Sequence, residues 1–215
     1  MKPISILFSQ SIHFTRFLRP AGGIYIPSMV EQLEKRYGFL ETPRSLSQFN
    51  VAKGVTFAHG KFQDTVIDKF QIYENGLVAE ANTESRITDA FLEEIVNFLT
   101  KDCGFQINDL QKPTYAYVSQ VEVQFEVDIS LDSLNKIGAF VSGLLNSYGV
   151  SLPDYRASGF LVHCDTPRDA PRPHKFRVER REGYPCELNV YFCSAPLRTP
   201  DHIKALRFLE SVFRG

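Results

Sequence analysis

The sequence predicts a mixed α+β fold: a tandem duplication of a β-α-β-β-β-α unit, with a mainly antiparallel sheet and helices packed on one face. Three observations predict it. Asn75-Gly76 stands between apolar runs, the dipeptide of a type I′ hairpin, whose two turn residues need positive φ. Val121, Val123, Phe125, Val127 and Ile129 alternate with Gln120, Glu122, Gln124, Glu126 and Asp128, a strand with one buried face and one wet, acidic face. Amphipathic helical stretches then interrupt the strand-like runs in the same order twice.

The 215 residues, 43% hydrophobic and 13% aromatic, supply a core and exclude intrinsic disorder. Twenty-four basic and 25 acidic side chains leave a net charge of -1, so the chain lacks the basic field of a nucleic-acid binder. No stretch has the roughly 18 consecutive apolar residues of a membrane span. Lys2 to Phe8 begins like a secretion signal, but Gln10, His13, Arg16 and Arg19 follow at once, so it reads as a strand.

A helix over 28–37 opens on Ser28 and Glu31, a capping-box spacing, and ends at Gly38; 39–53 reads as a loop. Strands follow near 54–60, 65–73 and 77–83. The helix near 88–103 takes Thr88 and Asp89 as its cap and first-turn charge, and buries Phe91, Leu92, Ile95, Phe98 and Leu99. After the strand at 114–129, a helix over 132–148 places Leu134, Ile137, Val141, Leu144, Leu145 and Tyr148 on one stripe; Gly138 and Gly143 within it suggest close packing on the sheet. Strands near 158–164, 174–181 and 186–193 lead to a last helix starting at Thr199-Pro200-Asp201, a cap, a first-turn proline and an early acid.

The repeat extends beyond element order. Ser9-Gln10 answers Ser119-Gln120, Phe14 answers Phe125, Tyr37-Gly38 answers Tyr148-Gly149, and Arg86 and Asp89 answer Arg198 and Asp201, all at offsets of 110–112. His59 answers His163 at an offset of 104, and Lys69-Phe70 answers Lys175-Phe176 at 106. The halves are 1–108 and 109–215, fused into one folded unit. The order is similar in architecture to tandem saddle-shaped folds such as the TATA-binding protein, and generically to helix-grip folds; no motif of either is present, and fold does not carry function.

The segment 168–181 is the one basic cluster, and Arg168, Arg172, His174, Lys175, Arg177 and Arg181 are the binding candidates, for an acidic protein or a small anion. A competing reading pairs those cations across the sheet with the acidic strand at 120–128. His163-Cys164-Asp165 has the residue types of a thiol nucleophile and its base, but adjacent strand residues face opposite ways, so His163 does not activate Cys164. His59 and His163, related by the repeat, would flank a groove between the halves. Cys103, Cys164, Cys186 and Cys193 match no metal-ligand spacing and read as reduced thiols, with a Cys164–Cys193 disulfide as the alternative. Phosphate loops, dinucleotide fingerprints, nucleophile elbows and zinc-protease helices are absent. The expectation is a non-catalytic cytosolic binding module that self-associates or captures a protein, without metal, cofactor or membrane contact. An enzyme using His59, His163, Cys164 and Asp165 is the alternative, and a nucleic-acid-binding saddle is less favoured.

Overall fold

A computed structural model describes residues 1–18, 26–107, 114–129, 132–147, 157–164 and 174–214. The chain runs β1 (Lys2–Phe14), β2 (Phe17–Leu18), α1 (Ile26–Tyr37), β3 (Val55–Phe62), β4 (Thr65–Tyr73), β5 (Gly76–Ala81), α2 (Ser85–Lys101), β6 (Gln106–Ile107), β7 (Thr114–Gln124), α3 (Asp132–Ser147), β8 (Gly159–Val162), β9 (Phe176–Arg180), β10 (Val190–Ala195) and α4 (Thr199–Arg214). Eight strands form a sheet in the order β3-β4-β5-β1-β7-β10-β9-β8, and β2 pairs with β6. The fold is mixed α+β and the sheet mostly antiparallel, as the alternating and helical periodicities imply.

The chain divides into two compact units: a larger one of Ile6–Gln120 with Pro196–His202, and a smaller one of Met1–Ser5, Val121–Ala195 and Ile203–Gly215. In the larger unit α1 buries Met29, Val30, Leu33 and Tyr37, and α2 buries Phe91, Leu92, Ile95, Phe98 and Leu99, against Val55, Phe57, Ile67, Phe70 and Leu77 of the sheet. Ring edges meet ring faces: Phe91 sits 5.2 Å from both Tyr37 and Phe70, at 75° and 88°. Such pairs add about 0.5–1.5 kcal/mol beyond their buried area. Gly60 makes room for this network, since a Cβ there would stand 2.3 Å from the Phe39 ring. The smaller unit has a shorter core of Val121, Val123, Phe125, Ile129, Val178, Tyr191, Cys193 and Leu206.

Several boundaries differ from the sequence expectation for identifiable reasons. The β4–β5 hairpin forms, but Tyr73 pairs with Gly76, so Glu74-Asn75 make the turn. Neither Asn75 nor Gly76 has positive φ, and the turn is therefore not type I′. Gly76 matters for space instead: a Cβ there would lie 2.5 Å from the His13 carbonyl oxygen. Ser28 lies inside α1 rather than capping it, and α2 starts three residues before Thr88. β7 stops at Gln124, so the acidic alternation outruns the strand, and Glu122 within it is buried, not wet. Residues 186–188 form a 3-10 turn closed by Asn189 at φ 49, which delays β10 to Val190. The stripe expected on α3 is not packed as a whole: Ile137 and Leu144 are exposed, as is Phe140.

Candidate interaction surface

The sequence candidates lie on different elements. His59 is exposed on β3 at φ 55. The buried positions are Val55 and Phe57 before it and Gly60 and Phe62 after it, so His59 is where the strand exchanges its inward and outward faces. His163 and Cys164 are exposed just past β8, and the His163 Nδ1 lies 3.3 Å from the Cys164 carbonyl oxygen rather than at its thiol. Asp165, Arg168 and Arg172 lie outside the described residues. His174 Nε2 bonds the Ser194 hydroxyl at 2.7 Å, and Lys175 is exposed. All four cysteines are free.

Among the described residues, the three arginines of the basic stretch are paired within the smaller unit. Arg177 pairs with Glu179, Arg181 approaches Glu122 at 3.7 Å, and Arg180 donates to Asp128 at 2.7 Å while stacking over Tyr191 at 4.9 Å. The contacts to Asp128 and Glu122 are the charge pairing with the acidic segment 120–128 that competes with an anion site. Exposed pairs of this kind stabilise by about 0–1 kcal/mol. A shallow cavity of about 310 Å³ opens beside β8, among Leu161, Arg177 and Glu179. Among the described residues no group of three His, Cys, Asp or Glu side chains is placed to hold a metal.

Sequence reasoning missed a polar seam in the larger unit. The Ser85 N–H donates to Thr199 Oγ1 and the Thr199 N–H donates to Ser85 Oγ, each at 3.0 Å, so the first residues of α2 and α4 cap one another. Ser11 on β1 bonds Thr88 at 2.8 Å and donates to Asp89 at 2.7 Å. Arg198 reaches Asp89 at 3.4 Å, donates to the Tyr117 hydroxyl at 2.6 Å and covers the Tyr117 ring at 4.8 Å. Burial pushes the Asp89 carboxyl up, opposed by the Ser11 hydrogen bond and Arg198. Ser119 bonds His202 Nδ1 at 2.8 Å, and burial pushes the His202 imidazole down to about 4. His13 stacks on Tyr115 at 4.7 Å; burial lowers its pKa, with Glu93 and Asp89 pulling the other way. Most of these donors and acceptors satisfy one another, and the seam fastens two helix starts to two strands.

That seam makes β1 an inverted strand. Ser9, Ser11 and His13 are buried at 0–6% exposure, whereas Ile4, Ile6 and Phe14, on the opposite side, are 46%, 38% and 40% exposed. Side chains two apart share a face, so the apolar row Ile4, Ile6, Phe8, Ile12, Phe14 lies on the side away from α2. Beside it β5 places Val78 and Glu80, and β4 places Lys69 and Gln71. The polar members are paired: Gln10 donates to Glu80 at 2.8 Å, and Lys69 reaches Glu80 at 3.8 Å. The result is an apolar stripe, interrupted by Gln10, with paired polar groups beside it on β5 and β4. Its signal in the sequence was the Ser-Ser-His row alternating with Ile and Phe. A pattern rule alone buries the wrong row.

No protein-family model matches this chain, and no curated protein matches it. Among the described residues, no helix is long and apolar enough to cross a membrane.

Proposed function

We propose that the chain is a non-catalytic, cytosolic protein-interaction module that docks a protein partner on the apolar row of β1. The inverted strand carries this reading. Burying three polar side chains while leaving Ile4, Ile6 and Phe14 in water costs free energy in the isolated chain, and a partner covering that row would recover it. An apolar centre with a polar rim is the composition of a protein–protein interface. The cation beside it on β4, Lys69, is paired with Glu80, and the chain carries a net charge of -1, which favours a protein over a nucleic acid. Four free thiols fit a reducing compartment. The matching element order, with β1, β3, β4 and β5 answered by β7, β8, β9 and β10, supports reading the two halves as a duplication.

The test is Ile6→Asp combined with Phe14→Asp. The two side chains are 38% and 40% exposed, so each change is expected to cost about 1 kcal/mol and to leave the chain folded. Protein partners captured by the wild type from its native extract should fall at least tenfold with the double variant. Unchanged capture by a variant with native circular dichroism overturns the reading.

A further inference from the structure

We propose that β8 is a pairing edge, and that its occupant is the β8 of a second copy of this chain, added antiparallel about a two-fold axis. This surface is separate from the apolar row of β1. It follows from how differently the two edge strands of the sheet are protected.

The β3 edge is guarded. Glu41 bridges onto it, donating its N–H to the Ala58 carbonyl at 3.3 Å and accepting the Ala58 N–H at 2.9 Å. The next residue, His59, is in the left-handed region and breaks the line of outward backbone groups, and Lys61 follows on the exposed side. Interrupted geometry and edge lysines are the devices that stop strand addition. β8 has neither. Gly159-Phe160-Leu161-Val162 contains no charged residue, and Leu161 and Val162 are 46% and 55% exposed. Its partner β9 uses one side of its backbone, from Gly159↔Glu179 to Val162↔Phe176. Among the described residues no strand uses the other side.

The occupant follows from self-complementarity. In an antiparallel pair, opposed residues share a face. Centring the pair on Leu161 sets Leu161 against Leu161 of the copy and Phe160 against Val162 of the copy, apolar on both faces. A net charge of -1 leaves little repulsion between copies. The Asn135 side chain of α3 accepts the Ala157 N–H at 3.0 Å, so α3 is tied beside the start of β8. Because β3 is closed to addition, growth stops at a closed two-fold dimer rather than a filament. An edge of four residues predicts a weak association, in the micromolar to millimolar range.

Sedimentation of the full chain over a concentration series reads the assembly directly. A monomer–dimer equilibrium is expected. Leu161→Lys should weaken it at least tenfold, whereas Ile6→Asp, on the β1 row, should leave it unchanged. In a Cys164→Ser background, Leu161→Cys should give a disulfide-linked dimer under mild oxidation. This reports the register even if the lysine variant folds poorly. A chain that stays monomeric throughout the series, a dimer insensitive to Leu161→Lys, a dimer that forms but is not cross-linked through position 161, or open-ended polymers would each overturn the proposal.

Discussion

α1 and α3 hold the same place in the element order, each following the first long strand of its half and preceding three more. They are buried differently. α1 lays Met29, Val30, Leu33 and Tyr37 into the core of the larger unit. α3 leaves Ile137, Phe140 and Leu144 outside the core of the smaller one, and among its described side chains only Ser142 is buried. Both sequences are amphipathic, so the contrast lies in what each helix meets. α1 shares a core with Phe57 and Phe70 of the sheet and Phe91 of α2. The core of the smaller unit, with the rings of Phe125 and Tyr191 and with Leu206 of α4, takes in no described side chain of α3. Gly143 does not bring α3 closer, because a Cβ there would meet nothing within 4 Å. Amphipathicity thus specifies a helix, while the packing partners that the tertiary structure supplies decide whether its stripe is buried.

The widest gap between the two units should appear on truncation. Leu33→Ala in α1 removes a fully buried side chain and should cost about 2–5 kcal/mol in urea unfolding. Phe140→Ala in α3, already 68% exposed, should change stability by no more than about 0.5 kcal/mol. Comparable costs at both sites would break the comparison.

Acid should strike the larger unit next. His202 is buried, with its pKa pushed from the ordinary 6.5 to about 4. The folded state therefore holds it neutral where the unfolded chain binds a proton. Its contribution is complete above pH 6.5, declines as pH falls toward 4, and is flat below that, for a total of about 3 kcal/mol. His202→Gln should flatten that part of the pH–stability curve; an unaltered curve would contradict the burial argument.

Smaller still is the mutual cap. Ser85→Ala and Thr199→Ala should each cost about 1 kcal/mol. Because each side chain caps the other's helix, each single variant removes a separate hydrogen bond. A double-mutant cycle should show losses that nearly add, and strong coupling would mean that the two helix starts act as one cooperative unit.

The periodicities along the chain were enough for the element types and their order. Phe91 to Leu99 reads as a helix face and Val121 to Phe125 as a strand face because burial repeats at 3.6 and 2 residues. Boundaries were less legible. Ser28 and Thr88 have the residue types of caps, yet the α2 cap is Thr199, 114 residues away from Ser85. The candidate site was mostly illegible. His59, His163 and Cys164 stand out by residue type, whereas the exposed row of β1 consists of Ile and Phe on a strand whose local alternation assigns them to the interior.

The sequence by itself determined the fold class, the antiparallel hairpins and the two amphipathic helices that build the larger core, since each depends on neighbours a few residues apart. Only the tertiary structure decided which face of β1 is inside. Alternation specifies that a strand has two unlike faces, and says nothing about which one the helices cover. Here the hydrogen bonds of Ser11 to Thr88 and Asp89, and the mutual capping of α2 and α4, hold the polar face under the helices and leave the apolar face open.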